Sequence, residues 1–396
     1  MNKSEDFKSE DFSLVLGGPL FQLLRGSHLA GDGLELLLQR VLVISLFAWL
    51  PLFLLSALQG QALGRSAAVP FLLDVEVHIR FLVALPLLII AELIVHRRMR
   101  LVVKQFTDRN LIPESALPRF DRALAAAFRL RNSVLAEVLL IGFVYVVGIR
   151  FYWRQYTAFQ TATWYGAPTA EGLKLSATGI WFVYVSLPIF QFLLGRWYFR
   201  LFIWMRFLWH VSRIGLSLVP THPDRVGGLG FLSNSAYALM PLAVAHGALL
   251  SGWIANRIFH LGAALPDFKI EIAIFVVIMQ VVVLGPLLFF APQLAQTKRT
   301  GLREYGTLAE RYVREFDTKW LRGKAPANEP LVGSGDIQSL ADLSNSFDVV
   351  RKMRIVPVTK DAVVQLAVLT LAPVAPLALT MMPLEELLKK LFGILF

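Results

Sequence analysis

The amino-acid sequence predicts an all-α integral membrane protein with about seven transmembrane helices. Three observations predict this class: seven apolar stretches of bilayer length, a low charged fraction, and basic residues gathered at alternate ends of those stretches. Of the 396 residues, 56% are hydrophobic and only 17% are charged, and the mean hydropathy is +0.58. A soluble domain carries about 25% charged residues, so the deficit indicates segments that never meet water.

The predicted spans are each close to the length of about 20 residues that crosses the hydrocarbon, and they are apolar all round, as lipid-embedded helices are. They lie at residues 36–58, 71–95, 133–153, 175–194, 235–259, 270–293 and 362–382. The last contains Pro373 and Pro376, and Pro383 and an amphipathic stretch follow it. A kinked span and a re-entrant hairpin both fit this pattern.

Basic clusters orient the predicted spans. They follow the second, fourth and sixth spans and comprise Arg97, Arg98, Arg100 and Lys104, then Arg196, Arg200 and Arg206, then Lys298, Arg299 and Arg303. The positive-inside rule places these span ends, and hence the N-terminus, in the cytoplasm. Residues 1–10 lack the pattern of a removable signal peptide. We therefore expect a protein of the bacterial cytoplasmic (inner) membrane.

The sequence divides into four parts. Residues 1–34 are an N-terminal cytoplasmic or interfacial segment, and residues 35–295 carry spans one to six with an amphipathic cytoplasmic connection at 101–132. Residues 296–360 form a cytoplasmic helical insertion, and residues 361–396 hold the last span and the amphipathic C-terminus. Two apolar stripes predict the helices of the insertion: Leu302, Tyr305, Leu308, Tyr312 and Phe316, then Ile337, Leu340, Leu343, Phe347 and Val350. At roughly 60 residues, the insertion is too small to hold a large core.

A short internal similarity suggests a duplication. Residues 85–91 (LPLLIIA) resemble residues 285–291 (GPLLFFA), and each segment precedes a basic cluster and an amphipathic stretch. Two parallel three-helix halves joined by a long fourth helix would produce this pattern, as in transporters built from parallel repeats. Chance resemblance between leucine-rich helix ends accounts for it equally.

Five polar residues fall inside the predicted spans and are candidates for a pathway: Glu92, Glu137, Arg150, His246 and Gln280. An ionisable side chain at that depth costs about 2.5 kcal/mol or more, so it normally faces a partner, the bundle interior or water. Small residues surround His246 and favour close helix packing there. A single interhelical hydrogen bond, for example between His246 and Gln280, is the alternative to a transport role.

The run at residues 221–230 (THPDRVGGLG) is a candidate loop for an anion or a lipid headgroup. Its predicted site residues are His222, Asp224, Arg225, Gly227, Gly228 and Gly230. Glycines before a helix N-terminus, with basic side chains nearby, can hold a phosphate or a carboxylate. The alternative is a tight turn in which Asp224 pairs with Arg225.

Charged residues at the other end of the second span form two i,i+4 pairs, Asp74 with His78 and Glu76 with Arg80. Such a group could form an ion vestibule. A helix end whose charges pair with one another is the alternative, and one histidine with two carboxylates is a poor zinc site.

The sequence contains no cysteine, which excludes disulfides, thiolate metal sites and a cysteine nucleophile. No serine-hydrolase elbow, zinc-protease pair, P-loop or dinucleotide-binding glycine pattern occurs in it. We therefore expect no catalytic, cofactor-binding or metal-binding residues. The net charge of +11 is typical of contact with anionic lipid headgroups, and we expect no nucleic acid as a partner.

Three functions remain open. The first is a channel or secondary transporter for an ion or small solute. The second is a membrane scaffold or sensor that recruits a protein partner, or a second copy of itself, through its cytoplasmic helices. The third is a membrane-embedded enzyme that acts on a lipid or phosphorylated lipid at the glycine loop.

Overall fold

Helices make up 77% of the structure, and strands are almost absent from the residues that it describes. The computed structural model describes residues 12–26, 36–63, 68–148, 163–169 and 172–381. Within these ranges the strands are β1 (Gly166–Thr169) and β2 (Gly172–Leu175), which pair as one antiparallel hairpin. The all-α class predicted from the sequence is therefore confirmed.

The helices of the described residues follow one another along the chain, and several contain a π or 3-10 segment within their bounds. They are α1 (Pro19–Gly26), α2 (Leu37–Leu58), α3 (Val75–Asp108), α4 (Leu117–Arg131), α5 (Val134–Gly148), α6 (Ala177–Val211), α7 (Ser233–Leu261), α8 (Leu265–Leu321), α9 (Gly335–Arg351) and α10 (Lys360–Leu371).

Five segments are long and apolar enough to cross a membrane alone: α2, α3, α6, α8, and α7 extended to Gly230–Leu261. Two further pairs of helices are long and apolar enough only when each pair is counted as one span. The first pair is Glu114–Arg131 with α5, bent by 47°, and the second is α10 with the 3-10 helix Ala375–Met381, bent by 53°. The described part of the chain therefore holds five to seven candidate spans, which fits a membrane protein. Residues 149–162 and 382–396, with the predicted C-terminal amphipathic stretch, lie outside the described residues.

In α3, α6 and α8, a proline lies beside a turn that departs from regular α-helical geometry. Pro86 in α3 follows the π segment Arg80–Ala84, and Pro188 in α6 follows the π segment Phe182–Ser186. A proline lacks the N–H of its turn and its ring clashes with the carbonyl four residues earlier, so the preceding turn widens. At Pro286 the backbone of α8 instead tightens into the 3-10 segment Gly285–Phe290.

Helix α7 lies at the centre of the bundle, where it packs against α3 and α10. Its small residues permit close approach, because a Cβ added at Gly247 would lie 2.1 Å from the carbonyl oxygen of Thr370 in α10. A Cβ at Gly252 would likewise lie 3.2 Å from Cα of Glu76 in α3. The small residues around His246 thus allow the tight helix contacts that the sequence favours.

The distal half of α8 and the whole of α9 form a two-helix hairpin, called the arm below (residues 301–351). The Tyr312 hydroxyl donates to the backbone oxygen of Asp336 at 3.1 Å, and Trp320 Nε1 donates to Asp336 Oδ2 at 2.9 Å. Ser334 caps α9 by accepting a hydrogen bond from the backbone N–H of Asp336. The arm thus folds on itself through contacts between its own two helices.

Candidate functional site

Glu92 of α3 lies at the centre of a buried ionic network. Its Oε1 accepts a hydrogen bond from Arg200 Nη2 of α6 at 2.7 Å, and its Oε2 lies 2.6 Å from Arg40 Nη2 of α2. All three side chains are buried, and Arg40 is only 2% exposed. The Arg40 contact is one of charge rather than an aligned hydrogen bond, since neither its Nη2 nor its Nε has a hydrogen-bond partner among the described residues. One carboxylate therefore joins three helices.

A second pair adjoins the first. Glu137 of α5 lies 3.4 Å from Arg196 Nη2 of α6, and its Oε2 accepts a hydrogen bond from the backbone N–H of Leu20 at 2.9 Å. That N–H belongs to the first turn of α1, where a carboxylate is favourable. Arg131 Nη1 donates to the backbone oxygen of Ser13 at 2.8 Å and fixes the segment before α1.

A cavity of about 20 Å³ connects the two pairs. Its walls include Arg131, Glu137, Arg196 and Arg200. A volume of that size is enough for about one water molecule. Together with Arg40 and Glu92, these side chains comprise four arginines and two glutamates, so the network carries an excess of positive charge.

His246 of α7 is held by two hydrogen bonds. Its Nδ1 lies 2.7 Å from the backbone oxygen of Leu242, and its Nε2 lies 2.8 Å from the hydroxyl of Tyr198 in α6. The carbonyl can only accept, so the proton sits on Nδ1 and Nε2 accepts from the tyrosine. The contact with Tyr198 joins α6 to α7.

The remaining pathway candidates lie elsewhere. Gln280 of α8 donates through Nε2 to the backbone oxygen of Val363 in α10, at 2.8 Å, and so has its own partner. Arg150 lies outside the described residues. The structure thus brings Glu92 and Glu137 into neighbouring ion pairs, while His246 and Gln280 each bond to other helices.

The glycine loop at residues 221–230 closes around its own carboxylate. Asp224 Oδ1 accepts hydrogen bonds from the backbone N–H groups of Val226 (2.8 Å) and Gly228 (3.1 Å), and Oδ2 accepts one from Gly230 (2.8 Å). Arg225 and Gly227 have positive φ values of 55° and 64°, a backbone form that turns successive N–H groups towards one point. The backbone N–H groups of the loop therefore bind the carboxylate of Asp224, which is part of the loop itself.

The position of Asp224 affects the predicted headgroup site. An external anion would have to displace Asp224, because the carboxylate uses the N–H donors that the loop offers. The Arg225 side chain is exposed, and its backbone oxygen accepts a hydrogen bond from the Arg354 N–H at 2.7 Å. His222 Nδ1 lies 2.9 Å from Asp224 Oδ1 and accepts a hydrogen bond from the Asp224 backbone N–H, so the side chain beside this aspartate is histidine rather than arginine.

The hydrogen bonds of the loop also affect the pKa of Asp224. Burial acts to raise it, but hydrogen bonds from Val226, Gly230 and Gly228, with the charge of His222, outweigh burial and hold the pKa below 3.8. The carboxylate is therefore ionised at neutral pH, as its role as a loop anchor requires.

Asp74 holds a comparable position at the start of α3. It accepts hydrogen bonds from the Val77 N–H (3.2 Å), Trp164 Nε1 (2.8 Å) and Asn256 Nδ2 (2.8 Å). Glu76 and Arg80 form the expected i,i+4 ion pair. His78 Nδ1 accepts a hydrogen bond from Trp49 Nε1 at 2.9 Å. Among the described residues, no group of three metal-ligating side chains comes together.

Comparison with known proteins gives no relative: no family model, no curated protein and no solved structure matches the chain. The class is therefore defined by the fold alone, as an all-α protein whose apolar helices are able to cross a membrane.

The arginines of the network are the functional candidates that the sequence analysis missed. Arg196 and Arg200 were assigned to the membrane boundary by their charge, yet both are buried against carboxylates from other helices. Two features of the sequence could have indicated this network. Arg196 and Arg200 lie four residues apart on one face of α6, and two glutamates lie inside apolar runs.

Proposed function

We propose that the protein is a membrane scaffold or sensor of the bacterial inner membrane, with seven spans and a cytoplasmic N-terminus, that recruits a protein partner through its arm. The observation that carries this proposal is the length of α8. It runs for 57 residues, or about 85 Å at 1.5 Å per residue, whereas about 20 residues cross the hydrocarbon. Its distal half and α9 therefore stand well clear of the bilayer.

The arm offers apolar surface that its own two helices do not cover. Leu308 is 49% exposed and Ile337 is 51% exposed, and Val332 in the connection between the helices is 89% exposed. Two helices alone enclose little core, so such side chains are favourable contacts for a third helix. An amphipathic helix of a cytoplasmic protein is the partner that this surface fits.

The charge of the arm favours a protein over a membrane surface as its partner. Residues 301–351 carry seven basic and eight acidic side chains, whereas the whole chain carries +11. Anionic lipid headgroups attract basic segments and give no advantage to a segment of balanced charge. Mixed charges around an apolar centre are typical of protein–protein interfaces.

The polar residues His246 and Gln280 are compatible with a scaffold because each has a hydrogen-bond partner within the bundle. His246 bonds to Tyr198 and Leu242, and Gln280 bonds to Val363. A scaffold needs such bonds for helix packing and needs no continuous pathway.

The arm is tested by paired substitutions in the full chain. We expect Leu308→Asp with Ile337→Asp to leave insertion and melting temperature unchanged but to remove a larger complex seen on native electrophoresis of mildly solubilised membranes. Thr307→Asp with Ser339→Asp adds the same charge at exposed polar positions and is the matched control. A wild-type protein that migrates as a monomer alone would contradict the proposal.

A second candidate, a channel or secondary transporter, rests on the positive charge of the Arg40–Glu92–Arg200 network and the adjoining cavity. Buried ionisable groups in membrane helices often mark ion pathways. An excess of arginine suits an anion. Wild-type vesicles should then dissipate a chloride or phosphate gradient, and Arg196→Gln should slow the flux while Arg311→Gln on the arm should not. Vesicles that hold every gradient would exclude transport of these ions.

The proposed duplication belongs with the transport candidate. Residues 36–153 and 235–382 would form two parallel halves joined by α6, and the prolines at matching positions of the similar segments, Pro86 and Pro286, support the comparison. An experimental structure should superpose the halves by rotation about the membrane normal. Helices that differ in order or direction between the halves would contradict it.

A further inference from the structure

We propose that a basic cleft between α4 and the end of α6 binds the phosphate group of an anionic phospholipid. The cleft has a volume of about 370 Å³, and its lining consists of Arg119, Arg122, Ala123, Ala126, Arg206, His210, Arg213 and Ile214. It is distinct from the arm and from the buried network, and the inference goes beyond the proposed function.

The lining is cationic, with four arginines and a histidine and no carboxylate. Among the described residues, none of these arginines forms an ion pair. Arg122 Nε donates to the backbone oxygen of Pro118 at 3.1 Å, Arg206 Nε donates to His210 Nε2 at 3.3 Å, and the Arg213 guanidinium stacks 4.1 Å from the ring centre of Trp209. These contacts orient the side chains without neutralising them.

Guanidinium groups match phosphate oxygens with paired, charge-assisted hydrogen bonds. Ala123 and Ala126 are small, so the space between the two rows of arginines stays open to a group of that size. Arg119 and Arg122 project from α4, whereas Arg206 and Arg213 belong to the end of α6 and the turn after it. A phosphate in the cleft would therefore bridge the basic side chains of two helices.

The surroundings favour a lipid over a soluble phosphate. Phe202, Met205 and Trp209 are exposed on the same stretch of α6 as Arg206. Tryptophan beside arginine at the end of an apolar helix is typical of the headgroup level of a bilayer. Arg213 and Trp209 also line a second cleft of about 780 Å³, whose wall includes Leu288 and Phe289 and so offers apolar surface next to the charges.

The test uses the delipidated full-length protein in a neutral detergent with three probes: short-chain phosphatidylglycerol, short-chain phosphatidylcholine and inorganic phosphate. We expect phosphatidylglycerol to bind and raise the melting temperature, with phosphatidylcholine far weaker. Arg122→Gln with Arg206→Gln should weaken phosphatidylglycerol binding by about a hundredfold, because it removes two charge-assisted contacts and each contributes about a factor of ten.

The matched control is Arg311→Gln with Arg314→Gln, which removes the same charge from exposed positions on the arm. It should change the dissociation constant for phosphatidylglycerol less than twofold. Each variant must keep the melting temperature of the wild type in the absence of lipid. Equal binding by the cleft variant and the control variant would overturn the site, and inorganic phosphate binding as tightly as phosphatidylglycerol would overturn its assignment to a lipid.

Discussion

Tyr198 of α6 donates its hydroxyl hydrogen to Nε2 of His246 in α7, across 2.8 Å. His246 is buried, whereas Tyr198 is 49% exposed, so the tyrosine reaches from the bundle surface to an acceptor inside it. The bond fixes the tautomer of the imidazole and connects two of the candidate spans. His246 thus makes a hydrogen bond between two helices.

The Tyr198→Phe variant isolates this bond. We expect a loss of stability of about 1 kcal/mol, because the variant leaves a buried nitrogen without a donor. The measurement is the melting temperature in detergent. Tyr184→Phe is the control, since Tyr184 is equally exposed on α6 and its hydroxyl has no hydrogen bond among the described residues. Equal melting temperatures for the two variants would show that the bond contributes nothing.

Glu92→Gln should be far more damaging than its conservative chemistry suggests. The change leaves Arg40 and Arg200 buried without their counter-charge, and breaking a buried pair in this way costs about 3–5 kcal/mol. The control is Glu310→Gln, which breaks an exposed i,i+4 pair with Arg314 and should cost about 0.5 kcal/mol or less. Denaturant unfolding in mixed micelles compares the two. Similar midpoints would mean that water or lipid already screens the network.

Asp224 predicts a dependence of stability on pH. Its pKa in the folded protein lies below the ordinary value, so its contribution is complete above the unfolded pKa of about 3.9 and is lost as pH falls through the lower folded pKa. Asp224→Asn should destabilise the protein by about 1–3 kcal/mol at neutral pH and should remove part of the acid-induced loss below pH of about 4. Asp108→Asn, at an exposed position, should do neither. Parallel acid profiles for wild type and Asp224→Asn would contradict the anchor role.

The proposed orientation is tested by reporter fusions. Fusions after Gly215 and Gly323 should report the cytoplasm, and a fusion after Gly60 should report the opposite side, because basic residues gather beyond the even-numbered spans. A reporter after Gly323 that reads as external would reverse the placement of the arm.

The sequence predicted the helices well because an apolar run of bilayer length is characteristic of a membrane helix and is rare in soluble domains. The start of α9 could also be predicted from the sequence, because Ser334 caps the helix and serine is a common N-cap residue. The partners of buried groups could not be predicted from the sequence. Arg200 lies 108 positions from Glu92 in the chain, and nothing in a single sequence pairs them.

The glycine loop illustrates the same limit. The alternative to an anion site was a turn in which Asp224 pairs with Arg225, but the positive φ of Arg225 leaves its side chain exposed and gathers the following N–H groups around Asp224. A backbone conformation, rather than side-chain charge, decides the arrangement. For His246 the partner is likewise set by how α6 and α7 pack, so Tyr198 rather than Gln280 meets the imidazole.

Docking of a protein partner on the arm is measured most directly by site-specific photo-crosslinking in intact cells, with a crosslinking amino acid placed singly at Leu308, Ile337 and the exposed control position Glu310. We predict a discrete adduct of higher mass from Leu308 and Ile337, and a much weaker one from Glu310. An adduct of twice the mass of the chain would identify a second copy as the occupant in place of a different protein. No discrete adduct from Leu308 or Ile337, with the full-length protein present in the membrane at normal levels, would contradict the proposed scaffold function.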